Sequence, residues 1–186
     1  MYVLIACEFS GRVRDAFIAR GHDAVSCDLL PTDSPGLHYQ GDVRDILHDR
    51  WDMMIAHPPC TYLAGSGPRV PGRAALTEEA LEFVRLLLTA PIPRIALENP
   101  IGCISSRIRK PDQIIQPWWF GEDASKATCL WLKGLPLLKP TDIIRKARYA
   151  NQTPSGQNKL GPSADRAKLR SLTYLGVAEA MASQWG

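Results

Sequence analysis

The sequence MYVLIACEFSGRVRDAFIARG (residues 1–21) places an apolar run directly before a short turn and an amphipathic segment. The run YVLIA has the composition of a strand buried on both faces of a parallel sheet. Val13, Phe17 and Ile18 follow at helical spacing, and Gly21 stands where a helix end favours a left-handed residue. The stretch therefore predicts a strand followed by a helix, which is the first half of a βαβ unit.

The same alternation continues along the chain. Strands are predicted at DAVSCD (23–28), DMMIAH (52–57), RIALENP (94–100) and within ATCLWLKGLPLL (127–138). Helices are predicted at TEEALEFVRLLLTA (77–90), which Thr77 can cap, and at RAKLRSLTYLGVAEAMASQW (166–185). The pattern predicts an α/β fold, a mostly parallel Rossmann-like sheet with flanking helices, in a single domain over residues 1–186.

Composition sets further bounds on the class of protein. The chain has 186 residues, of which 45% are hydrophobic and 22% charged, as expected of an ordinary globular domain. It lacks an apolar run of the roughly 20 residues that a membrane span needs, so we expect no membrane partner. It also lacks a basic leader before its first apolar run, so we expect a cytoplasmic location. Its five cysteines are scattered without a C-x-x-C pair. This spacing argues against a disulfide framework and a zinc knuckle, and we predict no metal.

Charge is distributed unevenly. Residues 139–170 hold eight basic and two acidic side chains, whereas the remainder holds 14 basic and 17 acidic ones. A basic stretch beside a nearly neutral body suggests a polyanionic partner. A solvated flank explains the same composition equally well.

The ends of two predicted strands carry reactive groups. In IAHPPCTYLAG (55–65), Pro58 and Pro59 fix two φ angles immediately before Cys60, so the backbone that presents this thiol is largely preset. In RIALENP, Glu98 and Asn99 end the next strand. A partly buried carboxyl tends to have a raised pKa, so we expect Glu98 to donate a proton. Because the carboxyl ends of parallel strands meet at one crevice, these groups should lie together.

The ends of the first two predicted strands suit a nucleoside. Gly11 in EFSG permits a ligand to approach a turn that enters a helix N-terminus. Asp28 stands 17 residues further on, near the spacing at which an acid meets ribose hydroxyls. Asp42 in GDVRDI could accept a hydrogen bond from an adenine amino group. Each of these acids could instead cap a helix or lie in a solvated turn.

Together, EFSG, CD, GDVRDI, PPC and ENP resemble the DNA cytosine-5 methyltransferases in order and approximate spacing over residues 1–100. SLTYLGVAEAMASQW resembles the last motif of that family. The resemblance implies a methyltransferase fold, S-adenosylmethionine as cofactor, duplex DNA with a flipped cytosine as substrate, and Cys60 and Glu98 as catalytic residues. It further implies a cofactor site comprising Glu8, Phe9, Ser10, Gly11, Asp28, Asp42, Val43 and Pro58.

The chain departs from the family at several positions. Thr61 stands where the family has Gln, Val13 and Arg14 replace glycines, and Pro100 replaces Val. A separate target-recognition domain is missing, which would suit a phage or mobile element, and a homodimer could compensate. Residues 101–170 are then the variable, substrate-contacting region. The candidate substrate-binding residues are Asn99, Arg69, Arg73, Arg148, Arg166 and Arg170.

Several interpretations remain open at this stage. Trp118, Trp119 and Phe120 could form a packing cluster or a stacking surface for a base. The loop around Arg69 and Arg73 could close over substrate as a flap. The alternatives to a DNA methyltransferase are an enzyme of the same fold that modifies a free pyrimidine nucleotide, or places another group on the base, and a non-catalytic nucleic-acid binder.

Overall fold

The computed structural model describes residues 1–65, 70–161, 163 and 165–186. In these residues the strands are β1 (Tyr2–Ala6), β2 (Asp23–Asp28), β3 (His38–Gln40), β4 (Met53–Ala56), β5 (Arg94–Pro100), β6 (Gln113–Ile115) and β7 (Thr128–Lys133). The helices are α1 (Arg12–Ile18), α2 (Arg73–Thr89), α3 (Ile104–Arg107), α4 (Arg166–Ser171) and α5 (Leu175–Trp185). Single 3₁₀ turns span Val43–Asp45 and Pro117–Trp119.

The strands form one sheet in the order β3-β2-β1-β4-β5-β7-β6. The pairs β1–β2, β2–β3, β1–β4 and β4–β5 are parallel, whereas β7 runs antiparallel to both β5 and β6. This confirms a mostly parallel α/β sheet compatible with a Rossmann-like fold. Strand order reverses between β1 and β4, and ligands of open α/β sheets bind at that point, outside the carboxyl ends of the strands.

Two apolar layers enclose the sheet. Successive strand residues point to opposite faces, so Val3 and Ile5 pack towards α1 and α5, whereas Leu4 and Met54 pack towards α2. Helix α2 packs through Leu81, Val84 and Leu87, all fully buried. Burying such a side chain contributes about 1.5–3 kcal/mol. The sheet is therefore held rigidly from both sides, and its strand ends are fixed relative to one another.

Two sequence predictions about elements need correction. Helix α2 begins at Arg73 rather than at Thr77, whose hydroxyl donates instead to the carbonyl of Tyr62 at 3.2 Å. The C-terminal segment is two helices, α4 and α5, because the chain is extended at Leu172 and Tyr174. The region 101–170 supplies β6 and β7, which complete the sheet, and contact between this region and substrate stays a prediction.

A second reason for the break in the C-terminal segment lies at the start of α5. The backbone N–H of Gly176 donates to Glu122 Oε1 at 2.9 Å, which satisfies one of the free donors of the helix. A Cβ atom at Gly176 would lie 1.9 Å from the carbonyl oxygen of Phe120. The start of α5 is therefore fixed against the loop before β7, and the chain between α4 and α5 crosses the ends of the strands.

The aromatic run is mostly a packing element. Phe120 is buried and Trp119 packs against the α1–α5 side of the core. Trp118 stacks on Tyr149 with the ring centroids 6.0 Å apart and the planes 15° from parallel. This contact ties the segment after β7 to the 3₁₀ turn. Among the described helices, none is long and apolar enough to cross a bilayer.

Candidate active site

Two clefts open at the carboxyl ends of the central strands. The thiol cleft, of about 80 Å³, lies between β1, β4 and β5 and is lined by residues 7–10, 57–60, 98–100, Lys126 and 170–173. The acidic cleft, of about 200 Å³, lies over β1 and β2 and is lined by Cys7, residues 27–29 and 41–44, Pro59 and Phe83. Cys7 and Pro59 border both clefts. The structure thus brings the predicted strand ends to one edge of the sheet.

Cys60 presents its thiol at the surface of the thiol cleft. It is exposed, whereas Cys7 and Cys103 are partly buried and Cys27 and Cys129 are buried. Burial raises the pKa of Cys27 to about 12, and it raises the pKa of Cys7 and Cys129 as well. A thiolate is the nucleophilic form of cysteine. These differences single out Cys60 as the accessible thiol at the cleft.

Several contacts hold the loop that presents Cys60. The carbonyl of Cys60 accepts hydrogen bonds from the N–H groups of Leu63 and Ala64 at 3.1 and 2.9 Å, so a tight turn follows the thiol. Asn99 Nδ2 donates to the carbonyl of Pro58 at 2.8 Å. The side chain of Arg73 donates to the carbonyl of Ala64 at 3.2 Å. The two prolines and these bonds together give the thiol a defined backbone geometry.

Asn99 is buried almost completely, with 1% of its surface exposed. Its Nδ2 is used on the loop, and its Oδ1 is buried without a hydrogen-bond partner among the described residues. In the structure, Asn99 therefore supports the loop that carries Cys60. A contact between Asn99 and substrate stays a prediction.

Glu98 lies in the thiol cleft with 16% of its side chain exposed, and its Oε2 is 3.4 Å from Nδ1 of His57. Burial by itself raises the pKa of Glu98, but the His57 hydrogen bond and the nearby Lys126 ammonium outweigh it, and the pKa lies below its ordinary value. The expectation of a raised pKa was wrong, because the carboxylate has these cationic and donor neighbours. Glu98 is ionised in this arrangement.

One wall of the thiol cleft is the chain that leads from α4 into α5, here called the strap (165–173). Lys126 Nζ donates to the carbonyl of Arg170 at 3.0 Å, and Arg12 donates to the carbonyl of Thr173 at 2.8 Å. Lys168 pairs with Asp33 at 2.9 Å and lies 5.1 Å from the ring centroid of Phe9. Cationic side chains therefore hold the strap against the strand ends.

The candidate arginines are dispersed. Arg170 lines the thiol cleft. Arg166 donates to the carbonyl of Leu160, and Arg148 is exposed on the segment after β7. Arg69 lies outside the described residues. Among the described arginines of this set, Arg170 lines the cleft that holds Cys60 and Glu98.

The turn after β1 is built differently from the sequence expectation. Glu8 is buried, and its carboxylate accepts from Ser10 Oγ and from the N–H groups of Val13 and Arg14, at 3.0, 2.8 and 3.3 Å. It therefore satisfies the free donors at the start of α1 that were expected to receive a ligand. Gly11 has a φ of 74°, which favours glycine.

Protein atoms crowd the Cα of Gly11. A Cβ atom there would lie 2.5 Å from Arg14 Nη2 and 2.9 Å from Ser34 Cβ. Arg14 is fully buried and donates to Ser26 Oγ and to the carbonyls of Ser34 and Pro35, at 3.0–3.1 Å. This arginine, a departure from the family pattern, anchors the loop between β2 and β3.

The acidic cleft combines carboxylates with apolar walls. Asp28 Oδ1 accepts from the N–H of Leu30 at 2.9 Å. Asp42 caps the 3₁₀ turn, accepting from the N–H of Arg44 at 2.9 Å and pairing with its guanidinium at 2.7 Å. The N–H bond from Arg44 lowers the pKa of Asp42 most, so this carboxyl is ionised. Val43 and Phe83 supply the apolar surface.

The thiol cleft has two basic side chains that were not chosen from the sequence as site residues. His57 stands three residues before Cys60, and Lys126 lies in the loop before β7. In the described part of the chain, no group of three or more His, Cys, Asp or Glu side chains could hold a metal ion. The arrangement can present one accessible thiol, one carboxylate and two cations, Lys126 and Arg170, to a bound molecule.

Comparison of the chain with protein-family models and with curated proteins finds no match.

Proposed function

We propose that this protein is an S-adenosylmethionine-dependent DNA cytosine-5 methyltransferase in which Cys60 adds to carbon 6 of the base. The observation that supports the proposal most is that the exposed thiol of Cys60 and the carboxylate of Glu98 line one cleft. A cytosine ring is a poor nucleophile at carbon 5, and reversible addition of a thiolate activates that atom.

The acidic cleft fits the nucleoside part of the cofactor. Asp28 and Asp42 offer carboxylate acceptors, which suit ribose hydroxyls and an adenine amino group, and Val43 and Phe83 offer apolar surface for the purine. Bound there, S-adenosylmethionine would supply an electrophilic methyl group. Because the clefts share Cys7 and Pro59, a nucleoside in one would lie next to a base in the other.

The residues of the thiol cleft then have distinct roles. The Cys60 thiolate forms a bond to carbon 6, the ring electrons move towards ring nitrogen 3, and that nitrogen takes up a proton. The proline-fixed loop holds the sulphur in line with the ring, which requires a separation of roughly 3–3.5 Å. Lys126 and Arg170 offer positive charge for the phosphate groups that flank the base. Once carbon 5 carries the methyl group, a base removes the carbon 5 proton, and elimination then returns the thiolate to Cys60.

The test uses labelled S-adenosylmethionine with duplex DNA and, separately, with dCMP. We expect label in DNA, and we expect Cys60→Ala to lose turnover by about 10³-fold or more while retaining cofactor binding. The partly buried Cys103 provides a matched control, because Cys103→Ala should remain active. Label in dCMP alone would favour a nucleotide-modifying enzyme, and full activity of Cys60→Ala would exclude the covalent mechanism.

A further inference from the structure

The His57 side chain is placed beside Glu98 by the sheet itself. In the parallel register Ala56 pairs with Leu97, so His57 and Glu98 follow as neighbours on the same face. His57 Nδ1 lies 3.4 Å from Glu98 Oε2. The His57 side chain is 8% exposed, and its Nε2 is buried without a hydrogen-bond partner among the described residues. The carboxylate is thus the group that orients this imidazole.

When Glu98 is ionised, it has no proton to give to the pyrimidine ring in the proposed reaction. A carboxylate accepts hydrogen bonds but donates none, whereas ring nitrogen 3 must be protonated as the thiolate adds. An imidazolium next to the carboxylate supplies what is missing. The proton on Nδ1 passes to Oε2, which makes Glu98 a neutral carboxylic acid, and Glu98 then gives that proton to ring nitrogen 3, so that a neutral imidazole and a carboxylate remain. When the thiolate leaves, the proton returns by the same route.

We propose that His57 is a positioning residue that holds Glu98 through Nδ1 and shares with it the proton delivered to the pyrimidine ring. The inference rests on the proposed function. A separation of 3.4 Å is long for a hydrogen bond, and contacts of this kind commonly shorten when substrate closes the site. A buried pair with one shared proton titrates as a unit, so its pH dependence belongs to both groups.

Other groups around the pair set its electrostatics. Lys126 approaches Glu98 from the loop before β7, and Thr128 approaches it from β7. Glu8 from the turn after β1, Cys60 from the loop after β4, and Arg170 from the strap line the same cleft. The His57 hydrogen bond and Lys126 favour the carboxylate form of Glu98, so a proton for the ring has to reach Glu98 from a neighbouring group, and His57 Nδ1 lies 3.4 Å away.

The first experiment measures kcat and KM for DNA against pH in the wild type and in His57→Asn. The Asn Nδ2 replaces the Nδ1 donor but cannot carry the extra proton. We expect kcat at pH 8 to fall by about 10–100-fold with KM nearly unchanged. We also expect the alkaline limb of the kcat profile to move to lower pH by about one unit or more. His48→Asn, at an exposed site, should match the wild type.

The second experiment needs no turnover. Ring-nitrogen NMR signals of His57 are followed against pH in the wild type and in Glu98→Gln, with His48 as internal reference. If His57 is paired with Glu98, the pH dependence of its NMR signals should change in Glu98→Gln, whereas that of the His48 signals should not. This readout also shows whether a variant that loses activity is still folded.

The outcomes distinguish failure of the proposed function from failure of the pairing between His57 and Glu98. A His57→Asn enzyme with wild-type kcat and an unmoved alkaline limb overturns the inference, and so does an unchanged His57 NMR response in Glu98→Gln. If the wild-type protein transfers no methyl group while the NMR coupling is present, the proposed function fails and the pairing stands. Methyl transfer without coupling supports the function and refutes the pairing.

Discussion

At the scale of single residues, one buried hydrogen bond links β5 to the loop that carries Cys60. Replacing Asn99 by Ala leaves the carbonyl of Pro58 without its donor. We expect the free energy of unfolding to fall by about 1–3 kcal/mol, the usual cost of an unsatisfied buried polar group. Because the loop also loses its anchor, kcat of the proposed reaction should fall more than stability alone explains. Urea unfolding and single-turnover rates measure the two effects.

The Asn99 prediction has a control and a contrary outcome. Asn158 is exposed in the segment before α4, so Asn158→Ala should leave stability nearly unchanged. A stability loss in Asn99→Ala equal to that in Asn158→Ala would show that the buried bond contributes nothing measurable.

Thiol chemistry offers a second test at the same scale. Cys60 is exposed and Cys27 and Cys129 are buried, so iodoacetamide should modify Cys60 first. Peptide mass spectrometry after brief labelling measures the order, and Cys60→Ser should remove the fast-reacting site. Faster labelling of Cys27 or Cys129 in the native protein would contradict the placement of Cys60 at the cleft surface.

The positions of some site residues could be predicted from the sequence, whereas the interactions of others could not. Cys60 and Glu98 could be assigned to one crevice because each follows a predicted parallel strand, and such ends meet. The ionisation of Glu98 could not be predicted, because it depends on the hydrogen bond with His57 and on Lys126, which comes from a loop 28 residues further along the chain. The capping of α1 by Glu8 could not be predicted either, since it depends on how the turn after β1 folds back onto the helix.

At the scale of elements, Arg14 links α1 to the loop between β2 and β3. Arg14→Met keeps most of the side-chain volume but removes donors to Ser26, Ser34 and Pro35. Groups that lose their partner in the interior remain unsatisfied, so we expect a loss of about 3–5 kcal/mol in the free energy of unfolding. Thermal unfolding measures the loss. Arg20→Met, on exposed surface just after the same helix, should change it little.

The strap is attached to the rest of the fold by the side chains of Lys126, Arg12 and Lys168. Lys168 holds it through Asp33 and through the ring of Phe9. In Lys168→Met we expect faster amide hydrogen exchange in residues 168–173, because a helix of six residues has little stability of its own. The global unfolding transition should remain near that of the wild type. Unchanged exchange in the strap would show that the Lys126 and Arg12 contacts suffice.

At the scale of the whole molecule, the α/β alternation could be predicted because buried strands and amphipathic helices have different apolar periods. The antiparallel β7 between β5 and β6 could not, since strand direction depends on the path of residues 101–127 and not on the period of β7 itself. The division of the last segment into α4 and α5 was hidden for a similar reason. It follows from the contacts of Gly176 with Glu122 and Phe120, which are distant in sequence.

Stability against acid is a property of the whole molecule. The pKa values of Glu98, Asp42, Asp112 and Asp123 all lie below their ordinary values. At Asp112 burial opposes the shift, but hydrogen bonds from the Leu132 N–H and from Arg109 outweigh it. Since the unfolded chain binds protons at higher pH than the folded one, these carboxyls stabilise the fold above the unfolded pKa of about 4. That stabilisation is lost as the pH falls through the lower folded values.

We therefore expect the urea midpoint to decrease steadily from about pH 5 downwards and to vary little between pH 6 and 8. Asp112→Asn is the matched variant, because its amide oxygen can still accept from the Leu132 N–H but cannot ionise. The stability advantage of the wild type over Asp112→Asn should be present at pH 7 and should shrink as the pH falls through the folded pKa of Asp112. An advantage that stays constant down to pH 2 would mean that the Asp112 charge does not stabilise the fold.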